Sequence, residues 1–212
     1  MASIAVGLCA APLNGAAAAE DGAALLAKHK AYVGWQDGDG AITSLRESGN
    51  VTFDARPVAS IAAFHRGPLF HRVYAAGAGK IVYDGFTGRV LWSSNQNGFT
   101  VQTVGEPAKY VFTRSAVFDE RLTTFPATVV RSETLDGTAV TWVRVEPGLG
   151  VPAELAVDAA TGAIKRVVLD PNGKYETKLD VLAYTDVGGG KRVISSWRYT
   201  GERSIWSYTT TR

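Results

Sequence analysis

The chain has 212 residues, 46% hydrophobic and 20% charged, a balance that fits one globular domain with a buried core and excludes a disordered chain. Its formal net charge is +2 and no basic residues cluster in a block, so it lacks the electrostatic footprint of a nucleic-acid binder. The single cysteine, Cys9, leaves no partner for a disulfide and no thiolate set for zinc.

Residues 1–19 carry no charged side chain. An apolar run from Ala2 to Leu13, then Ala17-Ala18-Ala19, resembles a secretory core and an A-x-A cleavage site, without the usual basic start. This reads as an export signal cleaved after Ala19. The alternatives are a start codon placed too late or a plain Ala-rich leader. Leu8 stands where a lipoprotein signal needs a small residue before Cys9.

Beyond the leader, Asp21 is an N-cap for a helix over Ala23–Val33, with Gly34 as its stop. Leu25, Leu26, His29, Tyr32 and Val33 share its apolar face, which predicts a half-buried His29. Asp37-Gly38-Asp39-Gly40 opens like a calcium loop, but Ala41, Ile42 and Ser48 stand where acid, Gly and Glu are needed, so a turn is expected.

Strands are predicted next at Ile42–Glu47, Val51–Phe53, Val58–His65, Leu69–Tyr74, Lys80–Tyr83 and Arg89–Trp92. Asp84-Gly85 and Thr87-Gly88 supply turn residues between the last two. Gly77-Ala78-Gly79-Lys80 is not a phosphate loop, because Ile81 follows it and Tyr74 occupies the first glycine position. Phe99–Val104 reads as a further strand. Ala108–Leu122 reads as a helical insert started by Pro107.

From Ala127 the strands return as a meander: Ala127–Glu133, Ala139–Glu146, Ala153–Asp158, Ala163–Asp170, Lys174–Tyr184, Arg192–Thr200 and Arg203–Thr209. Such spacing belongs to an all-β sheet or barrel. Within Lys174–Val181, Tyr175, Thr177, Leu179 and Val181 face one way and the charged residues the other.

Enzyme motifs do not fit. Neither Asp-Thr/Ser-Gly nor Gly-x-Ser-x-Gly is present. His65 and His71 are separated by Gly67-Pro68 and have no third ligand, so no metal site is expected. Asp84, Asp136 and Asp158 are read as turn residues. The reading is a protein without enzymatic activity or cofactor.

Several phrases resemble the LolA/LolB family of periplasmic lipoprotein carriers and receptors. Arg66-Gly67-Pro68-Leu69-Phe70-His71-Arg72 resembles that family's Arg-Pro-x-x-Phe-Arg segment with an inserted Gly. Tyr83-Asp84-Gly85-Phe86-Thr87-Gly88 with Trp92 resembles its DG-x-x-x-W hairpin, the Trp displaced. Leu155–Gly162 resembles its Asp-x-x-Thr-Gly hairpin. The opening helix and its acidic-Gly turn look closest to related domains that precede retropepsin-like aspartic proteases.

The resemblance spans most of residues 20–210. It implies a mainly β fold: an incomplete antiparallel barrel of about eleven strands, with an N-terminal helix and a helical insert over the concave side. It also implies one domain over 20–212, a periplasmic location, and a cavity for a lipid, a lipoprotein acyl chain or another amphiphile. Trp35, Phe70, Tyr83, Trp92 and Phe112 are the candidate lining. Arg66 or Arg72 is the candidate latch toward the covering helices; the inserted Gly67 leaves that choice open. The alternative is an accessory domain of an exported aspartic protease, or of a membrane-associated partner, carried on another segment or chain.

Overall fold

The computed structural model describes residues 21–211 apart from 54, 68, 77–80, 95–98 and 202–203; the side chains of 76, 82, 201 and 204–211 are likewise outside the description. The leader with Cys9, the Gly77–Lys80 segment and Pro68 therefore lie outside the described residues.

Helix α1 (Gly22–Val33) is capped as its sequence predicts. The Asp21 carboxylate accepts from the Ala23 amide at 3.3 Å, and Gly34 turns left-handed at φ 79°. Strands β1 (Leu45–Phe53), β2 (Arg56–Arg66), β3 (Leu69–Ala76), β4 (Ile81–Phe86), β5 (Leu91–Ser94) and β6 (Thr100–Thr103) follow as a meander. Then come α2 (Glu106–Phe118), with Pro107 in its first turn, and a 3-10 turn (Arg121–Thr124).

The second meander is β7 (Ala127–Leu135), β8 (Thr138–Val145), β9 (Ala153–Asp158), β10 (Ile164–Leu169), β11 (Thr177–Asp186), β12 (Arg192–Gly201) and β13 (Ser204–Thr211). All thirteen strands form one antiparallel sheet in the order β6-β5-β4-β3-β2-β1-β13-β12-β11-β10-β9-β8-β7. The first and last strands meet in its middle, and its two ends remain edges. The main core lies where α1 and α2 cover the second meander, with Leu25, Ala116, Leu122, Leu155, Val167 and Leu179 among its most buried members.

Four expectations change. The sheet has thirteen strands rather than about eleven. Ile42–Glu47 and Val51–Phe53 are one strand, not two: Gly49 and Asn50 pair with Ile61 and Ser60 on one side and with Thr210 and Thr209 on the other. Ladders on both sides hold the chain extended through a local turn signal. The strand predicted from Lys174 starts at Thr177, because the Asp170 and Glu176 carboxylates capture the amides of Tyr175 and Asn172 in a turn.

The fourth concerns Asp84-Gly85, which does not reverse the chain but lies inside β4. The reversal falls at Thr87–Val90, where Gly88 has φ 91° and the Thr87 amide donates to the Val90 carbonyl. Asp158 does form the Asx turn expected of it, accepting from the amides of Ala160 and Thr161 at 2.8 and 3.1 Å. Asp39 similarly closes a turn, accepting from Gln36 and Ala41.

Candidate functional site

The register of the first meander sorts its side chains into rows. Leu45, His65, Phe70, Phe86 and Leu91 are successive cross-strand partners, as are Glu47, Ala63, Arg72, Asp84 and Ser93. These two rows face the helices. Between them, Arg46, Phe64, His71, Gly85 and Trp92 form a row on the opposite face, because successive residues of a strand alternate sides.

On the helix-covered face, Phe70, Leu91 and Phe112 of α2 form a buried cluster with Phe86, Ala108 and Val111 at its margin. Phe86 meets Phe112 edge-on, ring centroids 5.9 Å apart. This cluster is separate from the main core. Beside it runs a charged bridge. Arg72, 4% exposed, grips Asp84 with two parallel bonds of 2.8 and 2.9 Å, and Arg114 on α2 donates to the same carboxylate at 3.1 Å. Burial pushes the Asp84 carboxyl up, but the two guanidiniums outweigh it and hold its pKa below the usual range. A single carboxylate thus ties the sheet to the helix that covers it.

His65 lies in the same interior, 4% exposed, with its Nδ1 lacking a hydrogen-bond partner among the described residues. Burial, then the charges of Arg72 and Arg121, depress its pKa to about 3, so the ring is neutral. Arg121 packs over the Phe112 ring at 4.6 Å and donates to Asp119 at 2.9 Å. Burial nevertheless lifts the Asp119 carboxyl to about 7. Between sheet and helix, lined by Glu47, His65, Arg72, Arg114, Trp197 and Tyr199 among others, a cavity of only about 20 Å³ remains, room for about one water.

The opposite face is open. A groove of about 490 Å³ lies over Phe64, Leu69, His71 and Trp92, with Arg46 and Arg66 in its lining. Phe64 and Leu69 are 42% and 40% exposed. The Trp92 ring lies against Gly85, where any Cβ would overlap it, and its centroid is 5.4 Å from that of His71. Glycine at 85 is therefore required by close approach and not by a turn.

The five candidate lining residues do not share one cavity. Phe70 and Phe112 meet in the covered aromatic cluster. Tyr83 and Trp92 meet on the open face with their rings tilted by 58° and centroids 5.7 Å apart. Trp35 belongs to a third cluster with Val33 and Val193, donating its indole N–H to the Arg192 carbonyl at 2.7 Å. Of the two latch candidates, Arg66 is exposed on the groove and Arg72 is the buried one. Its partner is the Asp84 carboxylate of the neighbouring strand.

His29 is fully buried rather than half-buried. Its ring nitrogens bond the Gly162 carbonyl and the Glu120 carboxylate, each at 2.9 Å. Burial lowers its pKa, and the Glu120 charge and hydrogen bond overcome this to give a net rise. Among the described residues, no three His, Asp or Glu side chains are grouped to hold a metal ion.

Sequence reasoning missed Asp84, Arg114, Arg46, Phe64 and Phe86 as site residues. The hairpin tip at Gly67 carried a usable signal. Once Arg66 pairs with Leu69, every partner along β2 and β3 is fixed, and His65 and His71 fall on opposite faces.

No family model matches the sequence, and no curated protein matches it. Solved structures do. A LolA superfamily protein from Nitrosomonas europaea aligns with TM-score 0.63 and 9% identity, covering 92% of this chain and 93% of that one. A domain assigned to outer membrane lipoprotein sorting from Vibrio parahaemolyticus aligns with TM-score 0.57 and 10% identity, covering 90% of each chain. A DUF1329 family protein from Desulfovibrio piger aligns with TM-score 0.56 and 12% identity, covering 89% and 91%. The fold is thus shared with LolA-superfamily structures over nearly the whole chain.

Proposed function

We propose that this chain is a non-enzymatic, exported carrier that takes a lipid, a lipoprotein acyl chain or a similar amphiphile between its sheet and α2. The observation that carries the reading is the Asp84 bridge. It clasps α2 to β3 and β4 immediately beside an aromatic cluster that is detached from the main core. An apolar seam closed by a few charge-assisted bonds opens at smaller cost than a continuous core. The remaining space holds about one water, so the structure corresponds to the closed form in this reading, and ligand entry requires α2 to lift. The uncharged leader and the fold shared with a lipoprotein-sorting domain support export to the periplasm.

Arg114 makes the bond that crosses from α2 to Asp84 in this proposal, and Arg72, a neighbour of Asp84 within the sheet, holds that carboxylate in place; Arg66 does neither. Losing the charged Arg114 bond to Asp84 removes about 1.5–3 kcal/mol from closure, or roughly ten- to hundredfold in the opening equilibrium. The Arg114→Leu protein should bind and release a fluorescent fatty acid correspondingly faster, with Arg66→Leu like wild type. Wild-type exchange rates in Arg114→Leu would sink the carrier mechanism and leave only the fold. Native mass spectrometry of protein from its own periplasm, looking for retained lipid, identifies the cargo.

A further inference from the structure

We infer that the groove on the open face of β1, β2, β3 and β5 is a second binding site, for a single-chain amphiphile ending in a carboxylate. The alkyl chain lies along Phe64, Leu69 and Trp92, and Arg46 and Arg66 take the carboxylate. The Phe64, Leu69 and Trp92 side chains lie on the side of the sheet away from α2, while Phe70 and Phe86 of the covered aromatic cluster border the groove as well, so the test below separates it from the carrier seam.

Four observations point to this ligand. The groove, at about 490 Å³, has the size of a small-molecule pocket. Its floor is a largely aromatic strip: Phe64 of β2 pairs with His71 of β3, the Trp92 ring of β5 reaches His71 across Gly85 of β4, and Leu69 extends the strip toward the hairpin tip. Isolated exposed apolar residues need no explanation, but a strip across successive strands does.

The floor is also shaped. Gly85 carries no side chain where the Trp92 indole lies down on the strand, so the ring is a shallow platform instead of an upright wall.

Charge then selects the head group. Arg46 holds its guanidinium 5.3 Å from the Phe64 centroid, and Arg66, two residues along β2 on the same face, also lines the groove, which gives it two cations. Among the described residues, no Asp or Glu lines the groove. Paired guanidiniums over an apolar strip complement a chain with an anionic planar end, because the guanidinium fork matches a carboxylate with two parallel bonds.

Isothermal titration with dodecanoate, kept below its micelle concentration, tests the site against dodecanol and dodecyltrimethylammonium. Wild-type protein should bind dodecanoate, with the alcohol at least about tenfold weaker and the cation weaker still. Arg46→Ser/Arg66→Ser and, separately, Phe64→Ser should each weaken dodecanoate about tenfold or more. Both alter exposed side chains, and an unchanged circular dichroism spectrum and melting temperature verify the fold. No dodecanoate binding, equal affinity for the alcohol, or wild-type affinity in both variants overturns the groove site.

The carrier reading fails separately. Dodecanoate that responds to Arg114→Leu but not to the groove variants sinks the groove and leaves the carrier. The reverse pattern leaves the groove and sinks the carrier.

Discussion

Two buried histidines give this protein opposed pH responses. His29 has a raised folded pKa, so its contribution is full below the unfolded value of 6.5 and is lost as pH rises through the folded one. His65 behaves oppositely. Between about 3 and 6.5 the unfolded chain binds a proton that folded His65 refuses, so stability falls as pH falls through that window. Asp119, lifted by burial to about 7, acts in the His29 direction: stability declines as pH rises from about 4 to 7. Urea unfolding at pH 5, 7 and 8.5 separates these groups. His65→Gln should flatten the acid-side loss relative to wild type, and His29→Gln the alkaline-side loss. Parallel pH curves for both variants and wild type would refute the assignment.

Helix α1 shows tertiary contact outweighing propensity. Gly22 opens the helix, and alanine there would ordinarily gain up to about 1 kcal/mol. Here a Cβ would stand 2.5 Å from the Ala127 carbonyl oxygen of β7, a contact that requires backbone to move. Overpacking of that kind costs about 1–3 kcal/mol, so the clash wins. Gly22→Ala should therefore lower stability by up to roughly 2 kcal/mol in urea unfolding, the difference of those two effects. A stabilised variant would show that α1 shifts freely on β7. The helix is also tied at its middle, where Lys28 and His29 bond the carbonyls of Ala159 and Gly162 in the β9–β10 turn.

At the scale of the molecule, the central pairing of β1 with β13 joins the first strand to the last. Such a contact closes late, since loop entropy must be met before the pairing repays it. The main core sits almost wholly on the β7–β12 side. Deleting residues 202–212 should consequently leave β8–β11, α1 and α2 protected in hydrogen exchange while protection collapses across β1–β6. Uniform loss of protection would mean that the sheet folds as one cooperative unit, and uniform retention that β13 is dispensable.

The sequence alone determined what depends on neighbours along the chain. Asp21 and Gly34 bound α1, Pro107 starts α2, Asp158 closes its own turn, and the period-2 runs become strands, because caps, turns and alternation are local. Tertiary structure decided what depends on register. Asp84-Gly85 has a turn's composition, yet cross-strand pairing draws it into β4, turns the carboxylate toward Arg72 and Arg114, and gives the glycine to Trp92. The same pairing sends the Phe70 and Trp92 side chains to opposite faces, although both residues border the open groove. Which face a side chain takes is set by the partner strand, and a one-residue slip would exchange the covered cleft for the open groove.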